Sequence, residues 1–335
     1  MSLKRYWYFK ILLVIIVLII IYQLYTNAYN QHSNFNSILT SSNKRPRGVI
    51  VTLMRSTNQS MFLTMNMINS VIRFHTIDEN SPYPFLIFHD QNFTSHMQQH
   101  ILSCVLRNNK DITISFALFN FTTVVQPVQD SQSAKSIQYR LMCRFWIYDV
   151  FYHPAIRNGD YDYLMRMDDD SYISNMTKYD LFAYTDAQKL DYVYRATYWE
   201  SKAEMQDILK RFLNISENDT PCIYNNFFII RLEWYYKSER VQRFIRELIQ
   251  DDLILRQYIG DGCVHAEMLQ IDNSVRSKHI FDISYGHNYH VITAERKYWK
   301  FILVKDFYEE INRSCYQLTV LRESKPILTR INMTH

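Results

Sequence analysis

Glycine is scarce in this chain, with five glycines in 335 residues. So few glycines leave no Gly-rich phosphate loop of the dinucleotide-binding or P-loop kind, which excludes those two nucleotide-binding classes. Cysteine is sparse as well, and the five cysteines show no Cys-x-x-Cys spacing, so a zinc site is not expected. One or two disulfides with at least one remaining thiol fit an oxidising compartment better.

The sequence also has no basic stripe. Its formal net charge is +4, but the lysines and arginines are scattered, so nucleic acid is not expected as a partner. A hydrophobic fraction of 47% in a chain of this length is enough for one large domain, or two small ones, with a real core. There is no internal repeat.

The N-terminal residues differ from the rest. Residues 11–22 are continuously apolar, and with their flanks they make about twenty residues, roughly the length that spans a hydrocarbon core. Lys4, Arg5 and Lys10 precede this run, and such a bias favours a cytoplasmic end. A cleaved signal peptide is the alternative, although no small-residue cleavage site follows Tyr25. We expect a cytoplasmic tail at 1–5, a transmembrane signal anchor at 6–25, a flexible stem at 26–47 and a lumenal domain at 48–335.

Strand-like and helix-like segments alternate beyond residue 48. Apolar runs typical of strands occupy 48–54, 83–90, 112–119, 161–167 and 225–232. Apolar residues at helical spacing occupy 61–72, 139–152, 202–212 and 238–248. This alternation predicts an α/β fold, a sheet flanked by helices.

Three adjacent carboxylates, Asp168, Asp169 and Asp170, follow the apolar stretch YDYLMRM. Ligands of open α/β sheets bind beyond the carboxyl ends of strands, which is where these side chains are expected. Two carboxylates spaced as Asp-x-Asp can hold a divalent cation through hard oxygen ligands. A metal there neutralises a diphosphate, which suits sugar transfer from a nucleotide-sugar donor. A solvated turn is the alternative interpretation.

Several segments together resemble glycosyltransferase family 15, the alpha-1,2-mannosyltransferases of the fungal Golgi. The block YRLMCRFWIYDVFYHP (139–154) is similar to that family's YR-x-MCRF...HP block, and YDYLMRMDDDSYI (161–173) stands where the family has YDYYWRVEPD. GVIVTLMRS, NNFFI, GDGCVHAEM and FDISYGH follow the family's order, so the resemblance spans roughly residues 48–298. The combination is much more specific than any one segment.

The resemblance implies a GT-A type fold, a nucleotide-sugar-binding mixed sheet flanked by helices. It implies GDP-mannose as donor, Mn²⁺ as metal, and retaining transfer to the 2-hydroxyl of a mannose on a glycoprotein glycan. It also implies a type II protein of the Golgi membrane. Carried over to this chain, it predicts metal ligands at Asp168, Asp170 and His287, donor-binding residues at Arg55, Arg144 and Tyr139, and catalytic roles for Asp261 and Tyr139.

One position departs from the family pattern. Where the family has Glu in SNFEI, this chain has Phe228 in NNFFI, and phenylalanine can neither attack a sugar carbon nor stabilise positive charge there. The reaction could run by front-face departure, in which the leaving phosphate guides the acceptor hydroxyl, or Glu233 or Asp261 could serve instead. Alternatively, the chain is a pseudoenzyme that binds nucleotide-sugar or glycan. A GT-A transferase with another donor, such as a UDP-sugar, is a further possibility.

Overall fold

The structure is a computed structural model of the chain, which divides into two units, Met1–Arg45 and Pro46–His335. No helix within the described residues is long and apolar enough to cross a membrane. Most of the predicted anchor and stem, 6–25 and 26–47, lies outside those residues, so both stay predictions. The residues described are 16, 17, 19, 20, 22, 23, 45–75, 82–106, 111–121, 135–200, 205–214, 221–288, 290–292, 302 and 303.

A large mixed sheet forms the centre of the second unit. Its seven strands have the order β10-β6-β9-β4-β1-β2-β3, and β9 runs antiparallel to both neighbours while the other pairs are parallel. A second sheet has the order β13-β12-β11-β5, and β7 pairs with β8. The strands are β1 (Gly48–Leu53), β2 (Phe85–His89), β3 (Ile114–Leu118), β4 (Tyr163–Met167), β5 (Ser171–Ile173), β6 (Tyr192–Tyr194), β7 (Thr197–Tyr198), β8 (Cys222–Ile223), β9 (Phe227–Arg231), β10 (Ser277–His279), β11 (Tyr285–His287), β12 (His290–Ile292) and β13 (Ile302–Leu303).

Helices flank the large sheet, as the alternating pattern predicts. The helices of the second unit are α1 (Asn58–Phe74), α2 (Ser95–Leu106), α3 (Ile137–Arg144, continued by Phe145–Asp149 and Val150–Tyr152), α4 (Pro154–Arg157), α5 (Leu181–Ala187), α6 (Gln206–Leu213), α7 (Leu232–Lys237), α8 (Glu239–Gln250), α9 (Leu253–Gln257) and α10 (Asp261–Ile271). The mixed α/β prediction is therefore confirmed.

The central strands are buried on both faces. All five residues of β4 are buried, including Arg166, and the first five residues of β1 are buried too. Parallel strands that helices cover on both faces have continuous apolar sequences rather than alternating ones. This burial explains the apolar runs GVIVTL and YLMRM. The exception inside β4, Arg166, is a charged side chain in the core and needs partners there.

The folded unit begins slightly before the predicted boundary at residue 48. Arg47 lies in the predicted stem, but its guanidinium donates to Asp162 (Nη2 to Oδ1, 2.6 Å) and also pairs with Asp160. The backbone of Arg47 accepts a hydrogen bond from the N–H of Asp162. Arg47 is therefore fastened beside β4 rather than part of a free stem.

Helix starts follow local capping. Helix α1 begins three residues before the apolar pattern because the Thr57 side chain accepts from the Ser60 N–H. Ser238 caps α8 in the same way, accepting from the Val241 N–H. Helix α10 is buried on nearly every side, so it has no polar face and no helical period that the sequence could reveal.

Candidate active site

The three carboxylates lie where the chain passes from the large sheet into the smaller one. Strand β4 ends at Met167 and β5 begins at Ser171, and the turn between them is closed by a hydrogen bond from the Ser171 N–H to the Asp168 carbonyl, 2.9 Å. Strand β1 is parallel to β4, so Arg55, just after β1, lies at the same edge of the sheet. This is the edge at which α/β folds bind ligands.

His287 reaches the carboxylates through strand pairing. Strand β11 runs antiparallel to β5, and His287 pairs with Ser171, the residue after Asp170. Its Nε2 lies 3.0 Å from Asp170 Oδ1 and 3.9 Å from Asp168 Oδ2. The sequence places these groups more than one hundred residues apart, and the register of two short strands brings them together.

Asp168, Asp170 and His287 form a cluster with the chemistry of a divalent-cation site. Their ligand atoms all lie within 4.8 Å of one another, and each side chain is about one-fifth exposed. Two carboxylate oxygens and one imidazole nitrogen suit Mn²⁺, which accepts hard oxygen ligands together with histidine. The residues predicted as metal ligands are thus brought together, although their role as ligands stays a prediction.

Tyr224 and Asn226, for which the sequence predicted no role, hold this cluster in place. The Tyr224 hydroxyl lies 2.8 Å from His287 Nδ1, and Asn226 Nδ2 donates to Asp168 Oδ2 at 2.7 Å and lies 2.9 Å from His287 Nε2. Partners of this kind orient histidine and carboxylate ligands in metal sites. The signal for them was the polar segment YNN, which directly precedes the apolar strand β9.

The cluster is also tied to Asp261 through a buried arginine. Arg166 is 2% exposed; its Nε and Nη2 donate to the two oxygens of Asp168 at 2.8 and 3.2 Å, and its Nη1 donates to Asp261 Oδ2 at 2.6 Å. Asp261 also accepts from Asn225 Nδ2 at 2.9 Å. One buried cation therefore serves two carboxylates, and the indole of Trp146 lies 4.2 Å beneath it.

Asp169 points away from the metal cluster into the sheet edge. Its carboxylate accepts a short hydrogen bond from the Ser60 hydroxyl, which in turn accepts from the Arg55 backbone N–H. Burial raises the pKa of Asp169 to about 7, and the negative charge of Asp170 adds to the rise, while Ser60 and Arg55 oppose it. Asp169 thus fixes the segment that follows β1 against the acidic turn.

Opposing effects act on the pKa of His287. Burial alone would lower the pKa of its imidazole, but the hydrogen bond to Asp170 and the charges of Asp170 and Asp168 outweigh burial and raise it. A cation beside these carboxylates would act in the opposite direction. Nε2 is the imidazole nitrogen that faces both carboxylates, so it is the one that could bind a metal beside them, while Nδ1 contacts the Tyr224 hydroxyl.

Tyr139 and Arg144 lie on α3, and the structure gives them different surroundings. The Tyr139 ring is partly exposed and stands 5.8 Å from the ring of Tyr258, near Asp261, whose charge together with burial raises the pKa of the tyrosine. Arg144 instead faces Asp149, with Nε 3.5 Å from a carboxylate oxygen. Its described partner lies on its own helix, so the structure does not join Arg144 to the carboxylate turn.

Glu233 does not lie at the site, which corrects its prediction as a substitute catalytic carboxylate. Tyr163, at the start of β4, pairs with Arg231, two residues before Glu233, whereas Asp168 follows the other end of β4. The four residue steps of β4 separate the two ends by about 13 Å. Glu233 is more than half exposed and forms ion pairs with Lys237 and Arg231.

Phe228 occupies the core rather than an open site. It is fully buried, stacks on Tyr192 with ring centroids 5.3 Å apart, and pairs across the sheet with Arg166. The Arg166 guanidinium lies 6.0 Å from its ring. The position where the resemblance places a carboxylate is therefore filled by an aromatic ring that packs beneath the charged network.

The mostly parallel sheet with an acid and histidine cluster at its carboxyl edge defines an α/β protein of the GT-A type. No protein-family model matches the chain. The chain is similar to a probable mannosyltransferase, KTR4 of Saccharomyces cerevisiae, with 22% identity over 293 residues, which are 72% of this chain and 60% of that relative. The chain thus spans about 60% of the length of the curated relative that it matches.

Two solved structures share the fold. Core-mannan synthase A (CmsA/Ktr4) from Aspergillus fumigatus, in an Mn/GDP form, matches with a TM-score of 0.60 and 16% identity over 75% of this chain and 77% of that one. The mannosyltransferase Ktr4p from S. cerevisiae in complex with GDP matches with a TM-score of 0.59 and 17% identity over 84% and 82%. Together with the curated relative, they confirm the resemblance to the family 15 mannosyltransferases.

Proposed function

We propose that this chain is a Mn²⁺-dependent, retaining alpha-1,2-mannosyltransferase that transfers mannose from GDP-mannose to a mannose-terminated glycoprotein glycan. The observation that carries the proposal is the convergence of Asp168, Asp170 and His287 at the carboxyl edge of β4. The support from similarity is that a neighbour of the same fold is described with Mn and GDP, and that the curated relative is a probable mannosyltransferase.

Each residue of the site has a task in this proposal. Asp168, Asp170 and His287 hold the cation, while Tyr224 and Asn226 keep the imidazole and the Asp168 carboxylate in orientation. Mn²⁺ held by these residues would supply positive charge to the diphosphate leaving group. Arg55, exposed at the same sheet edge, is placed to contribute its guanidinium to the diphosphate.

The chain's own carboxylates favour front-face departure over a covalent route. Phe228 supplies no carboxylate, and Glu233 lies at the opposite end of the sheet. Asp261 is nearby, but it is 6% exposed and accepts from Arg166 and Asn225 through one oxygen. A carboxylate held in that way is a poor nucleophile, so the leaving phosphate guides the acceptor hydroxyl in this proposal.

The test is transfer of mannose from GDP-mannose to methyl alpha-mannoside by the purified full-length protein. We expect a metal-dependent disaccharide with an alpha-1,2 linkage, and at least a hundredfold loss of transfer in Asp170→Asn. Asp170 is a cleaner choice than Asp168, because Asp168 also neutralises the buried Arg166. The control is Asp251→Asn, which changes an exposed carboxylate at the end of α8. Transfer that is unaffected by Asp170→Asn contradicts the proposed metal site.

Phe228 favours a second candidate function. A pseudoenzyme would keep the metal and nucleotide contacts but lack turnover, because an apolar ring replaces the family carboxylate. Stabilisation by GDP and Mn²⁺ without transfer to any mannoside supports this alternative. A screen of GDP- and UDP-sugars distinguishes both from a transferase with another donor. The Golgi location and the membrane anchor are part of the main proposal and rest on the N-terminal sequence and the resemblance.

A further inference from the structure

Glu200, which follows β7, is a carboxylate held by two tyrosines. The Tyr198 hydroxyl donates to its Oε2 at 2.8 Å, and the Tyr258 hydroxyl donates to its Oε1 at 3.1 Å. Within the described part of the chain Glu200 forms no ion pair, and Lys135 packs over the rings of Tyr139 and Tyr258. A carboxylate offers about four acceptor positions, so two tyrosine hydroxyls leave capacity for further donors.

The backbone near Glu200 has one unusual conformation, at Tyr258, and one close approach, at Gly260. Tyr258 has φ 46° and ψ 96°, a conformation that a non-glycine residue adopts only when its surroundings enforce it. Gly260 lies against the carboxylate, and a Cβ there would stand 3.0 Å from Glu200 Oε2 and 3.5 Å from the Tyr258 hydroxyl. Any larger residue at position 260 would crowd the space in front of the carboxylate.

Glu200 lies close to the proposed metal site. The Tyr198 ring is 6.0 Å from the Tyr224 ring, and the Tyr224 hydroxyl contacts His287. On the other side, Gly260 directly precedes Asp261, which shares Arg166 with Asp168. One layer of aromatic side chains therefore separates Glu200 from the metal cluster.

The chemistry around Glu200 fits a neutral, hydroxylated ligand. A carboxylate that forms no ion pair with any described residue repels a diphosphate, so this place does not suit the phosphates of the donor. Sugar hydroxyls donate charge-assisted hydrogen bonds to carboxylates. The apolar faces of sugar rings pack on aromatic side chains, and Tyr139 nearby is 38% exposed while Trp199, next to Glu200, is 71% exposed.

We propose that Glu200, positioned by Tyr198 and Tyr258, binds hydroxyl groups of the acceptor sugar. The inference rests on the proposed transferase function and deepens it, because it assigns the acceptor side of the site to residues of β7 and of the segment before α10. Mannose is the sugar to test, since the proposed reaction adds to a mannose.

The experiment separates the acceptor from the donor. Full-length wild type, Glu200→Gln and Tyr258→Phe are titrated calorimetrically with methyl alpha-mannoside in the presence of GDP and Mn²⁺, and separately with GDP and Mn²⁺ alone. The matched control is Glu233→Gln, the same exchange at an exposed glutamate beyond the far end of β9. Loss of a charge-assisted hydrogen bond predicts mannoside binding weaker by roughly tenfold in Glu200→Gln. A smaller loss is expected in Tyr258→Phe, and GDP binding should be unchanged in every variant.

Three results would overturn the inference: mannoside binding within twofold of wild type in Glu200→Gln, an equal loss of mannoside and GDP binding, or no mannoside binding by wild type. Failure of the proposed function looks different, because wild type then forms no disaccharide from GDP-mannose, whereas the inference is judged by mannoside binding and its loss in Glu200→Gln. Tyr258→Phe keeps the test decisive if Glu200→Gln does not fold, since an unchanged mannoside affinity in Tyr258→Phe also contradicts the inference.

Discussion

Asp168 and Asp170 are separated by one residue, yet their surroundings predict different losses of stability when each carboxylate is replaced by an amide. Both oxygens of Asp168 accept hydrogen bonds from the buried Arg166, through Nε and Nη2, whereas Asp170 faces His287 in an acidic turn. Removing one partner of a buried ion pair leaves an uncompensated charge, so Asp168→Asn should lower the free energy of unfolding by about 3 kcal/mol. Asp170→Asn should lower it by only about 1 kcal/mol, because it weakens one hydrogen bond to His287, removes no partner of Arg166 and relieves repulsion within the turn.

Urea unfolding of the two variants in metal-free buffer measures this difference. Arg166→Met with Asp168→Asn and Asp261→Asn serves as the control, because the triple change removes the buried cation together with both of its carboxylate partners. Equal destabilisation by the two single variants would show that Arg166 draws its compensation from Asp261 alone.

Asp272 gives a pH dependence that can be assigned to one side chain. Burial would raise its pKa, but hydrogen bonds from Ser238, Ser274 and Trp234 outweigh burial and lower it to about 2. A carboxyl group whose pKa is lower in the folded state contributes stability above its unfolded pKa of 3.8 and loses it as the pH falls toward 2. Asp272→Asn should therefore cost about 2 kcal/mol at pH 6, from hydrogen bonds to a charged acceptor, and little near pH 2.

The measurement is the free energy of unfolding of wild type and Asp272→Asn at several pH values, compared pairwise so that other carboxyl groups cancel. A difference that stays constant from pH 6 to pH 2 would contradict the assignment.

The residues of the site were predictable to the extent that neighbours in sequence or a family motif marked them. Asp168 and Asp170 lie side by side in the chain, and His287 was marked by the motif FDISYGH. Glu233 is close to Phe228 in the sequence, but the extended strand β9 carries it to the opposite sheet edge. The partners of Arg166 could not be predicted, because they depend on which strands are adjacent in the sheet.

For helix α3, the apolar period predicts the helix itself but not its local geometry. The apolar spacing predicts one helix over 139–152, and the structure confirms it while widening its middle turn, Phe145–Asp149, to π-helical geometry. The carbonyls released there find other donors: His265 Nε2 lies 3.1 Å from the Trp146 carbonyl, and the Tyr235 hydroxyl donates to the Ile147 carbonyl at 2.8 Å. Those partners lie on α10 and α7, so the bulge depends on tertiary packing.

The disulfide between Cys222 and Cys263 joins two elements that build the site. Cys222 precedes Tyr224 and Asn226, and Cys263 follows Asp261 on the first turn of α10. The loop it closes has a sequence separation of 41, for which loop entropy predicts about 4 kcal/mol of stabilisation. The double variant Cys222→Ser with Cys263→Ser should lose that amount in chemical denaturation.

The matched control for the disulfide is Cys143→Ser, which changes a buried thiol that forms no disulfide. Cys104 is disulfide-bonded as well, so reductant should destabilise both proteins, and wild type by about 4 kcal/mol more than the double variant. If reductant lowers the stability of both equally, the stabilisation comes from elsewhere in the chain.

At the scale of the whole molecule, ligand binding should appear as added stability. A ligand that binds only the folded state at one hundred times its dissociation constant stabilises that state by about 2.7 kcal/mol. We expect GDP to raise the melting temperature of wild type only when Mn²⁺ is present, because in the proposed site the metal would link the diphosphate to Asp168, Asp170 and His287. The Asp170→Asn variant should lose this shift; a shift that survives the substitution, or one without metal, argues against the site.

The fold class was predictable from the sequence, but the order of the strands in the sheets was not. Apolar runs and helical spacing gave an α/β fold, and the strands β1, β2, β3, β4 and β9 fall within the predicted runs. The strand order was not accessible, since neighbouring strands such as β4 and β9 are joined by long-range pairing. The short strands of the smaller sheet were missed too, because runs of two or three residues carry no readable period.

The pairing of β5 with β11 makes the metal cluster sensitive to chain length. Side chains of a strand alternate between its two faces, so adding or deleting one residue between α10 and β11 would present Gly286 or Asn288 beside Asp170 in place of the imidazole. Such an indel leaves the seven-stranded scaffold intact and disables the site outright. Length variation in this segment would therefore identify homologues that keep the seven-stranded sheet but have lost the metal-binding cluster.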